Sequence, residues 1–386
     1  MTRVSIITTV QHNVGDDFVR EGLLYLLEKQ CGRVREQLIH KHLPITARPE
    51  FSWIHDQGLD HWFDRKRPGR PTLRLTNTID RLLPVFPWSD RIRRCDLLLQ
   101  SGAPIYWAHS IKDCKDNEWW WPLIERRWAN KSGGRPFLNL AGGTCQRWGS
   151  DGSEFADRPA TLAYIRRFFD LATLTTVRDA LSVRVLELAG RVAQALPCSS
   201  IFAVDRLGIE PAKGEYVALN YMPGGGHYAF GQSIHSHAWE REFVSFARKL
   251  AARTKCVLVC HDDKELREAQ RLLPELDRFH SRDYVDYLRF YARARWGILN
   301  RIHGAFALAS LGKPATVVGT DSRAQMTEMI GLRSIFVNQA DMAWLEAEAV
   351  RLESESDHYA RAMDLVKEAA KLQYIGLIKS AIGSIS

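Results

Sequence analysis

The chain has 386 residues, more than one hydrophobic core usually fills, so two domains are expected. With 45% hydrophobic and 25% charged residues it has the make-up of an ordinary folded protein, and no apolar stretch reaches the length needed to span a bilayer. A formal net charge of +8 points toward acidic partners, but Lys and Arg are dispersed among acids and no nucleic-acid motif occurs, which excludes a nucleic-acid-binding class.

The N-terminus, MTRVSIITTVQHNVGDD, turns polar too early for a signal peptide, so a cytoplasmic location is expected. RVSIITTV reads as a β-branched strand. The turn HNVGDD leads into the helix FVREGLLYLLEKQCG, with Val19, Leu23, Leu26 and Leu27 on one face, Asp16 or Asp17 as its cap and Gly32 as its end. Residues from about 40 to 94, rich in Pro and Arg and containing RKRPGRPTLR, read as an insertion or lid. CDLLLQSG and PFLNLAGG are apolar strands that each run into a glycine turn. LATLTTV followed by RDALSVRVLELAG repeats the strand-then-helix rhythm, with Asp179 placed to cap the helix.

A second α/β run starts at GEYVALNYMPGGG. The helix AWEREFVSFARKLAAR, the strand CVLVCHDD and the helix KELREAQRLLP follow. WGILN, the helical run from Phe306 to Gly312 and the strand ATVVG then form a βαβ unit. Arg301 and His303 fall at the strand C-terminal edge, where ligands of parallel sheets gather and a helix N-terminus favours anions. RSIFVN and a charged helical tail from about 341 complete the chain. The expected fold class is α/β, with two Rossmann-like domains, 1–197 and 198–386, facing across a cleft.

The seven cysteines, Cys31, Cys95, Cys114, Cys145, Cys198, Cys256 and Cys260, are scattered and include no CxxC pair, so no structural zinc site is expected. Cys256 and Cys260 share a strand face with Leu258 and read as core. His235 with His237, and His40 with His42, have metal-like spacing but no accompanying Cys or carboxylate pattern, and no metal is assigned.

Three motifs in order, NVGDDFVREGL (13–23), VRDALSVRVLELAG (177–190) and NRIHGAFALASLGKP (300–314), give the chain a resemblance to the polysaccharide pyruvyl transferase family. The resemblance runs from about residue 3 to about 335. It implies a GT-B-like two-domain fold, phosphoenolpyruvate as the donor substrate, a saccharide acceptor, no nucleotide, and no obligatory metal or other cofactor. Two departures stand out. QSGAPIYW keeps only Gly102 where relatives have a glycine run, and Arg323 in GTDSR stands where they commonly have a lysine.

Transfer of the pyruvyl carbon skeleton needs cations for a phosphate and a carboxylate, and an acid for the enol double bond. His303 is the candidate general acid, because an imidazole titrates near working pH. Asp16 is the candidate for orienting or deprotonating an acceptor hydroxyl. Arg178 and Arg301 form the expected anion clamp, with Arg323 a further cation. Asn13, Gly15 and Ser182 complete the binding walls, and Gly224 and Gly225 in YMPGGGHYAFG offer backbone N–H groups to an anion. NEWWWPLIERRW offers tryptophans for stacking on sugars or for core packing, and RKRPGRPTLR offers charge to a lipid-linked acceptor or to the inner membrane face. The competing readings are a GT-B glycosyltransferase that uses a nucleotide sugar, and a catalytically silent protein that binds an anionic glycan.

Overall fold

The computed structural model describes residues 1–9, 13–41, 44–49, 90–108, 128 and 134–383. RKRPGRPTLR, most of the expected insertion, the aromatic segment apart from Trp128, Cys114 and His42 lie outside the described residues. The chain divides into two compact units: residues 1–144, 152–196 and 372–386, and residues 145–151 with 197–371.

The first unit is built on a parallel sheet. Its strands are β1 (Thr2–Thr8), β2 (Val34–His40), β3 (Leu97–Gln100), β4 (Pro104–Tyr106), β5 (Phe137–Thr144), β6 (Leu174–Val177) and β7 (Gln194–Ala195). The order is β2-β1-β3-β5-β6-β7, with β4 also pairing β5. The connection from β1 to β2 runs one way along the sheet and the next returns to the other side of β1, so the strand order reverses between β1 and β3. Strands buried on both faces need continuous apolar runs, which is why LLLQ and FLNLAGGT are buried at every position. The longer helices on this sheet, among the described residues, are α1 (Val14–Cys31), α2 (Pro159–Leu171) and α3 (Ala180–Leu188).

The second unit has strands β8 (Tyr216–Asn220), β9 (Cys256–Val259), β10 (Asp277–Phe279), β11 (Ala294–Leu299), β12 (Ala315–Gly319) and β13 (Arg333–Phe336). They lie in the order β10-β9-β8-β11-β12-β13, all parallel. This is the 3-2-1-4-5-6 order of a Rossmann sheet, with its switch point between β8 and β11. The helices are α4 (Ser236–Ala251), α5 (Asp263–Leu272), α6 (Tyr284–Arg293), α7 (Ile302–Ser310), α8 (Met342–Ser354) and α9 (Ser356–Gly383). In α4 the buried residues Trp239, Phe243, Phe246 and Leu250 follow helical spacing and form one stripe. Burying each such side chain contributes roughly 1.5–3 kcal/mol. Cys256, Leu258 and Cys260 join the same core, as their shared strand face predicts.

Several sequence expectations are corrected. The first helix is capped by Asn13, whose side chain accepts from the Gly15 N–H, and not by Asp16 or Asp17; Gly32 does end it, with φ +69°. That helix is not amphipathic in place: from Val14 to Leu24 every residue is buried, including Asp17, Arg20 and Glu21. The charges survive burial because Arg20 pairs with Asp17 at 2.5 Å and with Glu21 at 3.4 Å. Burial, against the pull of Arg20, still pushes the Asp17 carboxyl up to about 6. The two units are not continuous stretches of the chain. Residues 145–151 count with the second unit, where Gln146 and Ser322 exchange two hydrogen bonds, and residues 372–386 of α9 count with the first. Trp128 is a core residue, set edge-on to Phe137.

Candidate functional site

In the first unit the site residues come from two helix N-termini. Asn13, Gly15 and Asp16 open α1. Asp16 is buried, accepts the Thr9 hydroxyl at 2.5 Å and lies 3.7 Å from Lys41 Nζ, so its carboxylate is held by a donor and a cation. Arg178 and Asp179 follow β6. Asp179 caps α3: its Oδ1 accepts both the backbone N–H and the hydroxyl of Ser182, each at 2.7 Å. The Ser182 oxygen in turn accepts the Thr144 N–H at 2.9 Å. Ser182 therefore ties the end of β5 to the start of α3.

Arg178 is different. It is 1% exposed, yet neither Nε nor Nη1 has a hydrogen-bond partner among the described residues. Its guanidinium lies against the backbone of Gly143, where a Cβ would meet Nε at 2.6 Å, so only glycine admits it. β5 kinks just before this point: Ala141 takes φ +53°, and the pairing with β6 shifts between Asn139 and Gly142. Gly102 backs onto the kink, since a Cβ there would sit 2.5 Å from the Ala141 carbonyl oxygen, which accounts for the one glycine kept in QSGAPIYW.

The second unit gathers its candidates at the switch point. Arg301 is the residue before α7, and its backbone N–H donates to Asn220 Oδ1 at 2.9 Å. Its side chain is not a free clamp. Nε donates to Glu265 Oε1 at 2.5 Å, Nη2 to Asp262 Oδ2 at 2.5 Å, and Nη1 lies 2.7 Å from His227 Nε2. Glu265 Oε2 accepts from Asn220 Nδ2 and from the His261 N–H, both at 2.8 Å. Burial lifts the Glu265 carboxyl above its ordinary value, opposed by the charge of Arg301. Below this network His261 Nε2 meets the Tyr291 hydroxyl at 2.7 Å, and burial, followed by the charge of Arg301, drives the imidazolium well below its usual range.

His303 occupies the first turn of α7, partly buried, with Cys198 Sγ 4.0 Å from its Nε2. Arg323 is held by Asp321 through two side-chain bonds of 2.8 Å and lies 5.2 Å over the Tyr228 ring. Gly224 and Gly225 form the turn after β8, both at positive φ, and lead to His227 and Tyr228. The structure thus connects the glycine loop to Arg301 through His227 and to Arg323 through Tyr228. Sequence reasoning missed Asn220, His227, His261, Asp262, Glu265 and Tyr291. Two signals were legible: VALN and GILN end the two central strands alike, and D-x-x-E at 262–265 has capping-box spacing.

Three solved structures share this fold. S. aureus MnaA, solved with UDP, matches with a TM-score of 0.53 at 13% identity over 94% of this chain and 91% of that one. UDP-GlcNAc 2-epimerase from Neisseria meningitidis, bound to UDP-GlcNAc, matches with a TM-score of 0.53 at 13% identity over 98% and 100%. The enzyme from Methanocaldococcus jannaschii matches at 0.52 and 11% identity, over 91% and 92%. No curated protein sequence matches the chain. With two Rossmann-like units the fold is GT-B-like. The chain belongs to the polysaccharide pyruvyl transferase family, whose model matches residues 13–322. That membership makes it a transferase with a donor and a saccharide acceptor.

Proposed function

We propose that the protein transfers the pyruvyl group of phosphoenolpyruvate to two hydroxyls of a saccharide, forming a cyclic ketal and releasing phosphate. The observation that carries this reading is Arg178: a buried guanidinium with two donors unpartnered among the described residues is costly unless it meets an anion, and phosphoenolpyruvate has both a phosphate and a carboxylate. The family supplies the reaction class.

In this reading His303 gives a proton to the methylene carbon of the donor, and C2 becomes electrophilic. One acceptor hydroxyl adds to C2 and its proton returns to the imidazole. Phosphate then leaves C2 with the bonding pair, and the second hydroxyl closes the ketal, its proton passing to phosphate. Asp16, already fixed by Thr9 and Lys41, orients an acceptor hydroxyl. Asn13, Gly15 and Ser182 shape the surrounding backbone. Gly224 and Gly225 present the loop that carries His227, and Arg323 steadies that loop through Tyr228. The acceptor belongs to cell-surface or exopolysaccharide synthesis and includes lipid-linked forms, worked on at the inner face of the membrane. No helix among the described residues is long and apolar enough to cross a membrane.

Thermal unfolding with phosphoenolpyruvate, UDP-GlcNAc and inorganic phosphate tests the donor. A ligand at 100 times its dissociation constant adds about 2.7 kcal/mol of stability. Selective stabilisation by phosphoenolpyruvate is expected. Stabilisation by UDP-GlcNAc alone transfers the chain to the nucleotide-sugar enzymes.

A further inference from the structure

We infer that Glu265 and Asp262 are positioning residues for Arg301, fixing its guanidinium in one orientation toward the anionic donor; the inference rests on the pyruvyl-transfer reading. A guanidinium has five N–H groups. Three are occupied here, by Glu265, Asp262 and His227. One N–H on each terminal nitrogen has no partner among the described residues, which is the number a bidentate oxyanion requires.

The charge balance makes this more than a description of contacts. Two carboxylates against one guanidinium leave the cluster with a net charge of −1, which by itself repels phosphate. A site selected only for attraction would not carry both acids. What both supply is geometry. Glu265 is 3% exposed and uses both oxygens, one on Arg301 and the other on Asn220 and the His261 N–H. Asn220 returns to Arg301 through its backbone N–H, so Asn220, Glu265 and Arg301 close a ring that joins the ends of β8 and β11 to the start of α5. Asp262 is both the cap of α5, through Oδ1, and a ligand of Arg301, through Oδ2. The long side chain of Arg301 is thereby held in a single rotamer before any ligand arrives, and less entropy is lost on binding.

Attraction and positioning predict opposite signs for one substitution. Glu265→Gln removes a negative charge, so attraction alone tightens anion binding. It also sets an amide N–H₂ either against the Arg301 Nε–H or against Asn220 Nδ2 and the His261 N–H, so the ring that holds Arg301 opens in either orientation and positioning weakens binding. Calorimetric titration of the full chain with phosphoenolpyruvate and, in parallel, inorganic phosphate separates the two. The expected result is at least tenfold weaker binding of phosphoenolpyruvate in Glu265→Gln, with Glu265→Gln/Arg301→Ala no weaker than Arg301→Ala, because Glu265 acts only through the arginine. Unchanged or tighter binding in Glu265→Gln, or additive losses in the double variant, overturns the inference. Asp262→Asn, at a carboxylate with a 42% exposed side chain, repeats the test should Glu265→Gln not fold. Wild-type protein that binds phosphate but not phosphoenolpyruvate refutes the donor reading while the positioning inference is still decided on phosphate; binding of neither overturns both.

Discussion

The backbone N–H of Arg301 donates to the side-chain oxygen of Asn220 at 2.9 Å, linking the C-terminal ends of the two central strands of the second sheet. The Asn220 amide nitrogen faces Glu265 Oε2 at 2.8 Å. Asn220→Asp therefore sets two carboxylates against each other in a buried place. The expected loss is on the order of 3 kcal/mol at neutral pH, smaller in acid where one carboxyl is protonated. Urea denaturation at the two pH values checks it, and an equal loss at both contradicts the electrostatic cause.

Arg178 predicts a trade between stability and binding. Its buried charge lacks acceptors for Nε and Nη1 among the described residues, and the nearby Asp179 carboxyl is already held by Ser182, so Arg178→Met, of similar volume, should stabilise the protein by roughly 1–3 kcal/mol, the cost of leaving buried donors unsatisfied. The same variant should lose the rise in melting temperature with phosphoenolpyruvate. A destabilised variant that still responds to the ligand contradicts the assignment of Arg178 to the donor.

Burial keeps His261 neutral in the folded state, below the ordinary value of 6.5. The unfolded chain takes up a proton as pH falls through 6.5, and the folded chain does not. Stability is therefore full above pH 6.5 and declines below it, by about 1.4 kcal/mol per pH unit from this group. His261→Gln, which keeps a partner for Tyr291, should flatten the slope of unfolding free energy between pH 7 and 5. An unaltered slope assigns the acid sensitivity to other groups.

Ala141 holds φ +53° at the kink of β5, a conformation that costs a residue with a Cβ roughly 1–2 kcal/mol. Ala141→Gly should raise the unfolding free energy by about 1 kcal/mol, opposite to the usual cost of glycine in a strand. A lower midpoint in denaturant would show that the lost Cβ contacts outweigh the relieved strain.

The alternation of apolar strands and helices was legible in the sequence because buried parallel strands have to be continuous apolar runs. So was the place of Arg301 and His303, since a motif between such a strand and its helix falls at the sheet edge. Glu265 was not, because its partner lies 36 residues away and the pairing depends on β9 and β11 flanking β8. The α6 helix was missed as well. Tyr284, Tyr287, Leu288 and Tyr291 follow helical spacing and the last three are buried, but the run is only ten residues long and opens directly after the polar HSRD. In α1 the charges of Asp17, Arg20 and Glu21 imply an exposed face by composition; their mutual pairing, invisible in a hydropathy pattern, is what permits burial.

Incubation of the purified protein with carbon-labelled phosphoenolpyruvate and a lipid-linked saccharide fraction tests the account most directly, with label in saccharide and released phosphate both counted. The account predicts acid-labile label in saccharide, one phosphate per label, and a rate lower by roughly 10²- to 10⁴-fold in His303→Ala. Label that never leaves phosphoenolpyruvate, while a UDP-sugar is consumed with the same fraction, would contradict pyruvyl transfer.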